Sequence, residues 1–227
     1  MALQKERHLR LIRVLSFILF FTNSFLFAQN NDVKDKMLRI SNKIKDVPSY
    51  KCDVSINLDV KFINIKERSG KMFYNGPNDI EYKIKGFAFL PKKELSSISF
   101  DLFEDDFIAI NLGETDSLEI IKVIPLNIES EIVTGQFWIN KNELIKKMIV
   151  ITKEQGSFEI NFNYNNNEFD LPSSLVMTFD VKNQEMPALL TGDFEVYYDF
   201  DNSKETKQKG KGKISIKYKN FDFNYKP

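Results

Sequence analysis

Glu104, Asp105 and Asp106 form the densest run of side chains in this chain that could do chemistry. Two carboxylates on opposite sides of a bond can hydrolyse a glycoside, and a ring of oxygens can hold calcium. Adjacent residues do not converge on one point without a defined loop, and no EF-hand spacing surrounds these three. A solvated turn is therefore the expectation. Lys204, Lys207, Lys209, Lys211 and Lys213, with Gly210 and Gly212, make a basic stretch. It reads as the exposed tip of a hairpin spanning Asp201 to Gly212, with contact to anionic head groups or an acidic partner as the functional alternative. The single cysteine, Cys52, has no partner for an internal disulfide. It falls on an apolar face, where it behaves as a small hydrophobe. The single histidine, His8, lies near the N-terminus.

That position decides what the histidine can do. Lys5, Arg7, Arg10 and Arg13 precede an apolar run from Val14 to Ala28, interrupted by Thr22, Asn23 and Ser24. The run is shorter than the roughly 20 apolar residues a membrane helix needs. Residues 1–28 are accordingly read as a signal peptide cut near Ala28, with an uncleaved anchor as the alternative. Residues 29–227 are read as one periplasmic domain. His8 leaves with the leader, and a mature chain without histidine has no Ser-His-Asp or Cys-His site and no His-ligated zinc or haem. No catalytic residue, metal or cofactor is expected. Setting aside the leader's four basic residues and Glu6 leaves 28 basic against 31 acidic side chains. That balance does not suit a nucleic-acid binder.

The remaining sequence reads as a sheet preceded by one helix. Val33, Met37, Ile40 and Ile44 recur at helical spacing over residues 32–46, and Pro48 follows the end. From Cys52 to Phe62 apolar and polar residues then alternate without error, as in a strand with one buried and one wet face. A second strand is expected to begin at Met72, and Asn75 to Asn78 signal a turn. Ile80, Tyr82 and Ile84 continue the alternation. The segment from Phe87 to Asn127 is expected to hold a lid or irregular loop, with a hairpin turning around Gly113 to Asp116. Later strands carry Ile145 to Thr152, Phe158 to Tyr164, Leu175 to Val181, Phe194 to Phe200 and Ile214 to Tyr218. Phe221, Phe223 and Tyr225 alternate in the opposite parity, which a bulge near Lys219-Asn220 would correct. Short strands joined by hairpin turns make an antiparallel meander.

Several short phrases occur in a telling order. Val47-Pro48-Ser49-Tyr50 follows the helix, and Gly70-Lys71-Met72-Phe73-Tyr74 precedes Pro77. Phe137-Trp138-Ile139-Asn140-Lys141 leads into a polar turn, Leu171-Pro172 follows about 30 residues later, and Tyr218-Lys219-Asn220-Phe221 closes the series. In these phrases the chain resembles the LolA/LolB-like family of periplasmic lipoprotein carriers. The resemblance implies an α+β fold: a curved antiparallel sheet, an incomplete half-open barrel, wrapped around an N-terminal helix and an internal lid or plug. It also implies a hydrophobic cavity for the acyl chains of lipids or lipoproteins.

One short helix is a small cover for so much apolar sheet. An empty cavity of ~500 Å³ would cost about 12 kcal/mol at ~24 cal/mol per Å³, comparable with the roughly 5–15 kcal/mol stability of a whole domain. Either the middle segment or a ligand must fill the space. The expected lining is Val54, Ile56, Leu58, Val60 and Phe62 from the first strand, with Phe158, Ile160, Phe162, Met177 and Phe179 from later ones. The functional expectation is a monomeric, non-catalytic carrier of acyl chains that makes transient membrane contact. Its rival is an envelope signalling or scaffold module that uses the same fold to bind a protein.

Overall fold

A computed structural model describes residues 32–60, 63–76, 79–84, 102–103, 105–154, 156–165, 167–181 and 210–226. Residues 32–45 form a helix, α1. Ten strands follow: β1 Tyr50–Val60, β2 Ile63–Gly76, β3 Asp79–Lys83, β4 Phe107–Thr115 and β5 Leu118–Pro125, then β6 Ile132–Ile139, β7 Ile145–Thr152, β8 Ser157–Tyr164, β9 Pro172–Val181 and β10 Gly210–Asp222. They make one sheet in the order β3-β2-β1-β10-β9-β8-β7-β6-β5-β4. All the pairings are antiparallel, and β10 joins the two halves by lying between β1 and β9. Among the described residues β3 and β4 end the sheet without meeting, and the sheet is not closed. This is the expected architecture of an incomplete antiparallel barrel around one helix.

The alternation in β1 does what its period requires. Tyr50, Cys52, Val54, Ile56, Leu58 and Val60 are all buried, and the intervening polar residues are not. The same inner face continues through Met72, Ile121, Phe137, Met148, Ile160 and Met177, each with almost no exposed surface. Val33, Met37 and Ile40 of α1 pack into that single core. Cys52 is a buried free thiol, as its place on the apolar face implies.

Some expectations shift in detail. β2 begins at Ile63 rather than Met72, because its first half pairs with β1 and an extra β2 residue is absorbed where Ile56↔Arg68 passes to Leu58↔Ile65. The β4–β5 hairpin turns on Asp116 and Ser117, both at positive φ, at the far end of the expected Gly113–Asp116 turn. A two-residue turn with positive φ at both positions matches the twist of the flanking strands. Gly113 serves instead as a bulge inside β4, at φ 101°. The bulge expected near Lys219-Asn220 is present. Asn220 sits at φ 54°, and its side chain donates to the Asp53 carboxylate at 2.7 Å. That bond, followed by the one from Lys71, holds the Asp53 carboxyl below the usual range.

Within the expected lid segment, residues 107–125 belong to the sheet, and Leu102 and Phe103 are buried in the core. Gly210 to Lys213 belong to β10, so the expected hairpin tip does not extend that far. The expected leader (residues 1–28), Phe62, residues 85–101, Glu104 and the expected strand at Phe194 to Phe200 lie outside the described residues.

Gly70 marks a close approach between β2 and β3. A Cβ there would stand 2.2 Å from the backbone oxygen of Lys83 and 2.8 Å from Cγ1 of Ile84. Gly70→Ala should therefore push β3 off the sheet and destabilise the protein by about 1–3 kcal/mol. Urea unfolding measures the loss, and hydrogen exchange should show it beginning at residues 79–83.

Candidate functional site

α1 does not seal against the sheet along its whole length. Beneath its second half is a cavity of about 90 Å³. Ile40 and Ile44 roof it, Tyr50, Tyr74, Met148, Phe162, Leu175 and Tyr218 form its floor, and Lys43, Glu143 and Asp170 stand at its charged rim. At ~24 cal/mol per Å³ an empty space of that size costs about 2 kcal/mol, which a folded domain tolerates. The protein thus covers most of its own apolar face. The cavity is also well below the ~300–1,000 Å³ of ordinary ligand pockets.

Two loops of matching construction form the rim. In the β6–β7 turn, the side-chain oxygen of Asn140 accepts from the backbone N–H of Asn142 at 3.0 Å and of Leu144 at 2.9 Å. In the β8–β9 loop, the side-chain oxygen of Asn167 accepts from Phe169 at 3.3 Å and Leu171 at 2.8 Å. Each loop places an acid three residues after the asparagine at positive φ: Glu143 at 58° and Asp170 at 52°. Each then places a leucine on the cavity wall, Leu144 and Leu171. Asparagine suits this geometry because its side chain replaces a backbone acceptor in a tight turn. The pattern is readable as Asn-Lys-Asn-Glu-Leu and Asn-Glu-Phe-Asp-Leu, an asparagine followed at fixed offsets by an acid and a leucine. A search for short repeats would have found it.

The acids of these loops meet α1. Arg39 pairs with Glu143 at 3.0 Å, and Lys43 with Asp170 at 2.6 Å. One helical turn separates the two cations, so both face the rim. Further along α1, Lys34 pairs with Asp106 and Lys36 with Glu119. Four cations of one helix are thus matched to acids from four separate places on the sheet. Hydrogen bonding by Lys34, then its charge, holds the Asp106 carboxyl below its usual range. The carboxylate run seen in the sequence is divided: Asp106 turns to α1, while Asp105 accepts from the side chain of Asn127 at 2.6 Å. The two do not converge on a common point. Among the described residues no group of three or more His, Cys, Asp or Glu could hold a metal ion.

Phe162 is the one expected lining residue that lines this cavity. Val54, Ile56, Leu58, Val60, Phe158, Ile160, Met177 and Phe179 are buried on the same inner face but packed within the core. The Phe179 ring lies over Gly212, where a Cβ would come within 2.4 Å of it. Tyr164 was outside the expected set. It donates to the backbone oxygen of Ile145 at 2.8 Å from the cavity wall, and burial, then the charge of Asp170, pushes its phenol above the usual range. Trp138 lies on the outer face with the Lys147 ammonium 5.0 Å from its ring centre.

No protein-family model and no curated protein sequence matches the chain. Solved structures do. A LolA superfamily protein from Nitrosomonas europaea is similar with a TM-score of 0.53 and 10% identity, over 85% of this chain and 94% of that one. A DUF1329 family protein from Desulfovibrio piger is similar with a TM-score of 0.51 and 9% identity, over 85% and 92%. At such identities the likeness shows the fold: this chain has the architecture of a LolA superfamily protein.

Asn167→Ala should remove the acceptor for two backbone donors and cost about 1–2 kcal/mol. Thermal unfolding measures that loss, and an Ala substitution at an exposed residue such as Asn142 serves as the reference. A second expectation concerns acid. A carboxyl whose folded pKa lies below its unfolded value of ~3.9 contributes stability that is complete above that value. The contribution is lost as pH falls through the folded value. Amide exchange at the start of α1, normalised to β1, should therefore accelerate as pH drops below about 4. Asp106→Asn should flatten that response.

Proposed function

We propose that the protein is a periplasmic, non-catalytic carrier that shelters an acyl chain of a lipid or lipoprotein between α1 and the inner face of the sheet. The observation that carries this reading is the apolar cavity roofed by a helix whose polar contacts all lie at its margins. The fold shared with a LolA superfamily protein supports it.

The energetics favour displacement of α1 over a ready-made pocket. Exposed ion pairs are worth about 0.2–1 kcal/mol each, so the three exposed ones, beside the partly buried Lys36–Glu119 pair, align the helix more than they hold it. Val33, Met37 and Ile40 supply the grip, at about 1.5–3 kcal/mol per buried side chain. A fully buried chain of ~16 carbons offers about 12 kcal/mol at ~0.8 kcal/mol per CH₂. The chain can therefore replace the helix as cover. In the loaded state Phe162 is the first contact, and Val54, Ile56, Leu58, Val60, Phe62, Phe158, Ile160, Met177 and Phe179 are the deeper lining. Rim ion pairs weaken with ionic strength, which eases the helix off as salt rises.

A fluorescent long-chain fatty acid should bind the purified protein saturably, faster at 0.5 M than at 0.05 M salt. Ile44→Trp should weaken binding at least tenfold with an unchanged far-ultraviolet circular dichroism spectrum, because the indole fills the cavity from the helix side. Native mass spectrometry of protein purified from its own cells should show a lipid or acylated protein bound. A clean apo protein that also excludes the fatty acid would sink this reading and favour a protein-binding scaffold.

A further inference from the structure

The seven large hydrophobic side chains exposed among the described residues all lie between positions 108 and 151, on β4 to β7 and their connections. Three form a row on β4: Ile108 is 43% exposed, Ile110 36% and Leu112 48%. Leu126 and Ile128 lie in the β5–β6 connection, Val133 on β6 and Ile151 on β7. β4 pairs with β5 on one side, and no described strand pairs with its other side.

The two ends of the sheet differ. β3 carries Asp79, Glu81 and Lys83, all exposed, on a strand of five residues. That is the usual protection of a sheet edge against stray pairing. β4 is nine residues long, and its only charge is Glu114, near the hairpin turn. The bulge at Leu112–Gly113 interrupts its far end, but the regular stretch from Phe107 to Asn111 carries no charge, and that part of the edge is a template for another strand.

Area decides what kind of strand. At ~3.4 Å per residue β4 is about 30 Å long, and a strip two strand spacings wide, about 10 Å, gives about 300 Å². A stable dimer needs about 800 Å² per partner, so a second copy joined through β4 alone falls short. An extended peptide needs only a main-chain ladder and alternate side-chain contacts. Charge supplies the rest. Asp105 precedes β4, Glu114 ends it and Asp116 lies in its turn, and among the described residues none of the three has an ion-pair partner. Lys122 of β5 lies opposite Ile110.

We infer that β4 is a strand-addition site for an extended segment of a partner protein, apolar at alternate positions and basic at its ends. The segment pairs antiparallel or parallel with the open edge, lays β-branched side chains on Ile108, Ile110 and Leu112, and places its terminal charges near Asp105 and Glu114. This site is separate from the cavity under α1 and does not depend on an acyl ligand.

Fluorescence anisotropy tests it with three synthetic peptides. One alternates valine and threonine over six residues between terminal lysines, the second has terminal glutamates, and the third has proline at its centre. The lysine-ended peptide should bind saturably, at least fivefold tighter than the glutamate-ended one at low salt, and at least tenfold tighter than the proline-broken one. Ile110→Lys and, independently, Ile108→Thr should each weaken it at least fivefold without altering circular dichroism. Amide exchange in residues 107–115 should slow when it is bound. Equal binding of the proline-broken peptide, or no binding of any, overturns the site. A dimer in sedimentation that Ile110→Lys dissolves would also overturn it, assigning the edge to a second copy.

Discussion

A sheet with one apolar face must hide that face, and the described residues include a single helix of about four turns with which to begin. Everything else in the fold answers that shortage. Ten strands in an open curve bring the inner face round upon itself, so that Phe137, Met148, Phe158, Ile160 and Met177 are removed from water altogether. Leu102 and Phe103 reach the same core from outside the strands. What is left over is about 90 Å³ under the second half of α1. The cost of leaving that much empty is small; the cost of leaving several hundred cubic ångströms empty is not. A residual space of this size is therefore compatible with a stable fold.

The position of α1 is set by turn chemistry as much as by apolar packing. Asn140 and Asn167 impose the same local backbone on two loops separated by β7 and β8, and each loop delivers an acid to a cation of the helix. Holding Glu143 and Asp170 at positive φ is costly for side chains other than glycine, though least so for asparagine and aspartate. The asparagine bonds over-determine the turn and keep both acids there. Apolar contacts fix how deeply the helix sits, and paired charges fix its register along the strand ends. The first supplies the energy and the second the direction.

Much of this was legible because strand alternation survives wherever one face is wet. β1, β8 and β9 could be read residue by residue, and so could the change of parity that requires a bulge at Asn220. Legibility failed where a residue type permits two local geometries. Gly113 suggested a turn, yet Asp116 and Ser117 accept positive φ and take the turn themselves, leaving the glycine to a bulge. The first half of β2 concealed its pairing because an extra residue breaks its period opposite β1. The inner-face residues that the structure describes are buried, as their alternation implies. Which of them border the cavity is a different matter, because periodicity tells which face a side chain takes and says nothing of how closely a helix lies over it. Phe162 and Leu175 border the opening by virtue of where α1 ends, a property of the helix and the rim loops together.

Openness links the two surfaces. A closed barrel has no edges, but neither could a helix leave its interior without unpairing strands. Among the described residues the sheet is open, and β3 and β4 are its two edges. One of them, β3, is short and charged. The other, β4, lies next to the places where α1 is fastened: Asp106 immediately precedes it, and Glu119 belongs to its partner β5. Asn111 of β4 donates to that same Glu119 at 2.8 Å. A strand added to β4 would therefore stiffen the hairpin that holds two of the four helix contacts. The β4 edge and two of the four ion pairs of α1 thus belong to one structural element, the β4–β5 hairpin and its approach.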